Sequence, residues 1–317
     1  MNSPDLPPAL DAPRRMLRGR AGAINVYVAG SGAPLLLVHS LNAAASAYEV
    51  KPIFEQMVAE REVWALDLPG FGFSDRSERH YDINLYVDAI ATVVDAIAAA
   101  RPRTSLNHPA PPIDALALSL AGELLARLAL RDPQRLRTIT LVNPTGFDAR
   151  AARRAHLPAA TDGPQPFDPH SVETLEVAGL HAAVSWRGWA AGLFSALTCR
   201  PSIRFFLRGA FGRREIDEGL VDYAWRTAHQ PGAHFAPFAF VAGRLFTRNA
   251  SALMQALRLP VWMPHGTRGD FRDFSAADWA RAAPNWTVQA FPTGAFPHFE
   301  DPQTFNDSLR RFLQCKL

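Results

Sequence analysis

IDALALSLAGELLARLAL, residues 113–130, changes its hydrophobic period halfway along. Up to Leu118 nearly every side chain is apolar, the pattern of a short strand covered on both faces. Beyond Leu120 the leucines at 124, 125 and 128 recur at helical spacing. Ser119 falls at the junction, and a strand running straight into a helix holds such a side chain on the tip of a sharp turn. The first N–H groups of the helix then point at it, which suits a serine that attacks a carbonyl. The turn is crowded, so residues two positions away must be small. Ala117 and Ala121 meet that need, and Gly122 follows. An ordinary helix whose N-cap is serine has the same local pattern, so the segment leaves two readings of Ser119 open.

Outward from this segment the chain alternates. Residues 35–38, 63–66, 139–142, 259–263 and 287–291 read as buried strands, and 23–28, which ends at AGSGAP, as part of a hairpin. Residues 43–60, 82–100, 120–131, 275–283 and 302–314 read as helices, with Asp82 and Asp301 as N-caps. A Pro-rich linker spans 101–112, and residues 1–13 read as a disordered or loosely docked arm. This order predicts an α/β fold with a mostly parallel, doubly wound sheet. The alternation stops at about residue 147 and resumes near 258. The intervening stretch, rich in Trp, Phe and Arg, predicts helices over 171–183, 186–197, 215–229 and 238–257. The expected organisation is a core of residues 1–146 and 259–317 with a helical cap, 147–258, inserted between two strands.

Three segments resemble the α/β-hydrolase superfamily, in the serine hydrolase branch with an inserted helical cap. The strand–Ser119–helix turn is similar to its G-x-S-x-G signature, with alanine at both glycine positions. LLLVHSLNAAASAY, residues 35–48, resembles the His-Gly segment after the third strand, with Ser40 in place of glycine. ALDLPGFGFSDRS, residues 65–77, resembles the D-x-P-G-x-G-x-S loop, in which Asp67 reads as structural. The resemblance implies a Ser119 nucleophile and an oxyanion hole formed by the N–H groups of Leu41 and Leu120. His39 would then be a supporting residue beside that loop.

Acid and base are where the chain departs from the pattern. In LPVWMPHGTRGDFRDF, residues 259–274, Gly269 occupies the expected carboxylate position. Asp270 is the nearest candidate acid and Asp273 the fallback. The closing motif resembles G-H-x-P-H-x-E-x-P, but Ala295 stands where the catalytic histidine belongs. His298 matches the second histidine and is the nominee for the base. An orienting carboxylate would hold that imidazole in the right tautomer.

Composition excludes several classes. Hydrophobic residues make up 48% of the 317-residue chain and charged residues 20%, enough for a large core. The net charge of +3 is spread among acids, so no nucleic-acid footprint is expected. Cys199 and Cys315 fit neither a disulfide framework nor a metal site, and no cofactor or metal motif is present. No apolar run reaches the ~18 residues of a membrane span. With no secretory pattern at the N-terminus, a cytoplasmic protein is expected. The oligomeric state is left open. The aromatic residues of the insertion suggest a small apolar or aromatic acyl substrate, though at helical spacing most belong to a core. The expected function is cofactor-independent hydrolysis of a carboxylic ester, lactone or related acyl bond, weakened by the missing histidine. The alternative is a non-hydrolytic ligand binder, or a lyase- or isomerase-like enzyme, built on the same fold.

Overall fold

The computed structural model describes residues 3–101, 113–149, 168, 170–186 and 188–314. All of the predicted linker but Arg101, together with Arg187 and Cys315, therefore lies outside the described residues.

Eight strands form one sheet in the order β1-β2-β4-β3-β5-β6-β7-β8. They are β1 Arg14–Gly19, β2 Gly22–Ala29, β3 Pro34–Val38, β4 Glu62–Leu66, β5 Ile113–Leu118, β6 Leu136–Val142, β7 Val261–Gly266 and β8 Trp286–Phe291. The ladders from β4 through β8 are parallel, and β1 and β2 are antiparallel. The α/β fold with a mostly parallel sheet is thus as expected. Period-2 alternation explains why the central strands are apolar throughout. Ala115 and Ala117 of β5 pack into one core with Leu36 and Val38 of β3, while Leu116 and Leu118 pack into the other with Leu35 and Leu37.

On one face lie α2 (Ile83–Ala99) and α3 (Ala121–Arg131), and on the other α1 (Lys51–Met57) and the terminal helix, Pro302–Gln314. Asp82 caps α2 by accepting from the Leu85 N–H at 2.8 Å. Between β6 and β7 come α4 (Leu180–Val184), α5 (Ala190–Leu197), α6 (Arg200–Phe211), α7 (Glu218–Ala228), α8 (Phe235–Val241) and α9 (Ala250–Gln255). The core resumes with α10 (Asp278–Ala282), α11 (Pro297–Glu300) and the terminal helix, α12.

Several local expectations fail for physical reasons. The first hairpin turns between Gly19 and Gly22, and β2 pairs with β4 rather than β3, so AGSGAP is a crossover and not the hairpin turn. The segment 43–60 is broken: Ser46 caps a short 3₁₀ helix, Ala47–Val50, before α1 begins. The stretch 171–179 is not helical, because Thr174 forms a bridge with Thr247. Helix α6 was hidden by its arginines. The stretch 238–257 splits at Gly243, whose φ of +79° ends α8. The N-terminal arm is docked, with Ala9 and Leu10 buried and the Ala9 N–H on the Tyr27 hydroxyl at 2.9 Å.

Candidate functional site

The sheet gathers the candidate residues at the C-terminal ends of β3, β5, β6, β7 and β8. Ser119 directly follows β5 with φ +50°, one of two non-glycine residues in the left-handed region among the described residues. That conformation costs a residue with a Cβ about 1–2 kcal/mol. Two hydrogen bonds fix the turn: the Ser119 N–H reaches the Val142 carbonyl at 2.9 Å, and the Gly122 N–H returns to the Ser119 carbonyl at 3.0 Å. Ala117 and Ala121 are fully buried, as the crowded turn requires. The Ser119 side chain is partly exposed, and its hydroxyl has no hydrogen-bond partner among the described residues.

Parallel pairing of β3 with β5 puts Val38 opposite Ala117. Leu41 and Leu120 each lie three residues beyond this pair, past the ends of two neighbouring strands. Both are buried, and neither main-chain N–H has an acceptor among the described residues. A buried donor left unpaired costs about 1–3 kcal/mol, so each is costly unless something else takes up the N–H.

The loop bearing Leu41 is laced by side chains. His39 Nε2 accepts from the Leu68 N–H at 2.9 Å, which leaves the proton on Nδ1, and Nδ1–H donates to the Ser40 carbonyl at 2.6 Å. Burial lowers the affinity of His39 for a second proton, in keeping with this neutral tautomer. Glu49 Oε2 receives the Ser40 N–H at 2.8 Å, and its other oxygen receives Asn42 Nδ2 at 2.8 Å. Asp67 lies beneath, accepting from Asn25, Ala47 and Phe73 at 2.9–3.0 Å. Sequence reading missed Glu49 and Asn42. Their only signal is a carboxylate that fits no exposed helical face, near a buried strand end.

The candidate acid and base are not brought to Ser119. His298 is fully buried among Phe296, Phe299 and Phe305, and its Nε2–H donates to the Glu49 carbonyl at 2.8 Å. Its Nδ1 is buried without a partner. Burial pulls its pKa down to about 4, so the ring is neutral near pH 7. Neither nitrogen hydrogen-bonds Ser119. Asp270 is exposed, with its N–H on the Gly209 carbonyl at 2.9 Å. Asp273 accepts from the N–H groups of Ala149 and Ser275 at 3.0 and 3.1 Å. Neither carboxylate is hydrogen-bonded to His298.

The loops after β7 and β8 are instead packed against the end of α6. The Ala295 N–H donates to the Ala210 carbonyl at 2.8 Å. A Cβ on Gly269 would strike the Gly209 carbonyl, and one on Gly294 the carbonyls of Ala210 and Phe211. Glu300 ties the three pieces together, accepting from the Gly294 N–H at 2.6 Å and pairing with Arg268 and, at 3.2 Å, with Arg213. The positions where the resemblance places acid and base, Gly269 and Ala295, are therefore contact points for an inserted helix.

On the other side of the sheet's edge, Asn143 follows β6 with φ +48° and joins it to β7. Its N–H donates to Pro264, and its Oδ1 accepts from the Gly266 N–H at 3.1 Å. His265 lies buried there, its ring tilted by 30° to Phe274 with ring centres 4.3 Å apart, and burial lowers its pKa as well. Among the described residues no group of His, Cys, Asp and Glu is placed to hold a metal ion. No described helix is long and apolar enough to cross a membrane.

Residues 35–308 match the alpha/beta hydrolase family. The chain is similar to the 2-hydroxy-6-oxo-2,4-heptadienoate hydrolase of Pseudomonas putida strain F1, 29% identical over 130 residues, which is 40% of this chain and 43% of that protein. It is also similar to the 2-hydroxymuconate semialdehyde hydrolase of Pseudomonas sp. strain CF600, 27% identical over 124 residues, 38% of this chain and 40% of that one. The match thus spans less than half the length of either relative. Among solved structures, a serine hydrolase involved in carbazole degradation superposes with a TM-score of 0.69 at 13% identity, covering 95% of this chain and 98% of that one. At that identity the likeness speaks for the fold.

Proposed function

Because the chain belongs to the alpha/beta hydrolase family, we propose that it is a serine acyl hydrolase that works without an imidazole base. Ser119 attacks the carbonyl carbon of a carboxylic ester, lactone or related acyl bond, and the N–H groups of Leu41 and Leu120 receive the oxygen as it gains charge. The hydroxyl proton leaves to solvent or to the departing group of the substrate. Water then attacks the acyl-serine carbonyl, and the acid is released. The observation that carries this reading is the left-handed Ser119 at a strand end, followed by Leu120 and next to the strand that leads to Leu41, two buried residues whose N–H groups have no acceptor among the described residues. Oxyanion donors and binding alone retain about 10³–10⁴-fold over water, whereas loss of a base costs about 10³–10⁶ in kcat. Acylation by activated substrates therefore outpaces turnover. The small apolar or aromatic acyl class follows from the aromatic side chains of the insertion. The names of the two relatives add a vinylogous 6-oxo acid and a semialdehyde acid to the compounds worth testing.

A serine-directed fluorophosphonate tests the proposal. Covalent labelling at Ser119, with a stoichiometric burst but slow turnover on p-nitrophenyl esters, is the expected result. An unlabelled Ser119 together with tight ligand binding favours the second reading, a non-hydrolytic binder or a lyase- or isomerase-like enzyme. The His298 contact with Glu49 and the filled loops at Gly269 and Gly294 speak for that reading. Ala295→His is the complementary variant. Ala295 already carries a Cβ and is partly exposed, so the variant folds, and ester hydrolysis rises above background. No rise means that a lost base is not what limits the chain.

A further inference from the structure

We propose that Glu49 is a positioning residue that, with His39, sets the direction of the Leu41 N–H: His39 holds the peptide between Ser40 and Leu41, and Glu49 holds the peptide before it and the Asn42 side chain beyond it. The inference rests on the oxyanion role given to Leu41 above. In a trans peptide the carbonyl and the following N–H point in opposite directions. Whatever fixes the Ser40 carbonyl therefore fixes the Leu41 N–H. The carbonyl is held by His39 Nδ1–H at 2.6 Å, on the side away from the N–H. The preceding peptide is held as well, because the Ser40 N–H donates to Glu49 Oε2 at 2.8 Å. With both planes pinned, residue 40 has no freedom to flip.

Glu49 does more than accept one bond. Its Oε1 receives Asn42 Nδ2, and that same amide donates to Ser40 Oγ, each at 2.8 Å. Asn42 Oδ1 then takes the Ala44 N–H at 2.7 Å. The loop is thereby clamped on both sides of Leu41, whose own N–H stays without an acceptor. Glu49 is itself anchored through its carbonyl by His298 Nε2–H. His298 thus supports the oxyanion loop from behind, and this gives it a use other than that of a base. Asn42 and Ser40 matter to the same clamp, since serine in place of glycine supplies the hydroxyl that Asn42 holds.

Glu49→Ala and Glu49→Gln test the inference. In Glu49→Ala the rate of fluorophosphonate labelling at Ser119 falls by about 10²-fold, the scale of one lost oxyanion donor. Reversible binding of p-nitrophenol, the leaving group of the ester substrates and without a carbonyl oxygen to hold, stays within roughly twofold of wild type, as an interaction realised only in the transition state requires. Glu49→Gln keeps one acceptor for the Ser40 N–H and recovers part of the rate, and it serves as the test if the alanine variant does not fold. Crystal structures of the variants add a readout independent of reactivity: the peptide between Ser40 and Leu41 rotates in Glu49→Ala. A folded variant that labels at the wild-type rate, or keeps that peptide unmoved, overturns the proposal. If the wild-type protein itself is not labelled, the acyl hydrolase reading fails, and the peptide's orientation still decides the role of Glu49.

Discussion

A left-handed serine is expensive to keep, and Ser119 shows its cost in the backbone rather than in its contacts. At φ +50° a glycine would be relaxed, though it would add chain entropy to the unfolded state. Ser119→Gly is therefore expected to stabilise the protein by about 0.5–1 kcal/mol. The same variant loses all labelling by the fluorophosphonate. Urea unfolding beside a labelling assay checks both, and a clear loss of stability would mean that the turn is not strained.

His298 gives a second prediction at this scale. Its pKa is pulled down to about 4 when folded, against about 6.5 when unfolded. Below pH 6.5 the unfolded chain takes up a proton that the folded chain refuses. The stability associated with neutral His298 is thus fully present above pH 6.5 and is lost as the pH falls towards 4, by about 3 kcal/mol. His298→Phe suits the surrounding rings and removes this slope, but it leaves the Glu49 carbonyl unpaired. The variant is less stable than wild type at pH 8 and gains on it between pH 6.5 and 4.5. Parallel slopes in a pH series of denaturant melts would sink the assignment.

Among the elements, the end of α6 and the loops after β7 and β8 behave as one joint. Gly269 has φ +79°, and its Cα faces the carbonyls of Gly209 and Ala210. Gly269→Ala meets both a forbidden backbone region and a collision with main chain, and destabilises by about 3 kcal/mol. Faster amide exchange in α6 than in α2 is the expected local readout. An unchanged Tm would mean that the joint yields freely. Gly269→Asp, which would restore a carboxylate where the family resemblance expects one, fails for the same reason.

The central strands and the Ser119 turn were legible in the sequence because their signals are local: hydrophobic period, small flanking residues, one sharp change of pattern. The joint was not. Gly269 and Ala295 read as departures from a motif, and only the carbonyls of a helix about sixty to eighty-five residues away explain why positions 269 and 294 are glycine. Helix α6 was missed because Arg200, Arg204 and Arg208 interrupt its apolar spacing. Arg200 and Arg204 are in fact turned to Asp222 and Glu218 of α7. Glu49 was invisible for a related reason: its partners, Ser40 and Asn42, come together only when the chain after β3 folds back over its own strand end.

Over the whole molecule, the N-terminal arm is one of several places that hold the inserted helices to the core, beside the packing of Ala236, Ala239, Leu253 and Met254 into it. Three side chains of α7 and the residues just after it reach the arm's main chain. Tyr223 donates to the Pro7 carbonyl at 2.9 Å, Arg226 to Asp5 at 3.0 Å and Gln230 to Pro4 at 2.8 Å. The arm continues into the core, where Leu10 is 2% exposed, while Tyr223 stacks on Tyr48 of the 3₁₀ helix at 5.1 Å. A proline-rich segment loses little entropy on docking, so a few carbonyl contacts and one buried leucine suffice to hold it. Deleting residues 1–10 is expected to cost about 2 kcal/mol, roughly 5 °C in Tm, chiefly through Leu10. Amide exchange should then rise in α7 but not in α3, because α7 keeps its contact with the 3₁₀ helix while losing the arm. Equal exchange in the two helices after deletion would show that the arm only covers α7 and does not fasten it.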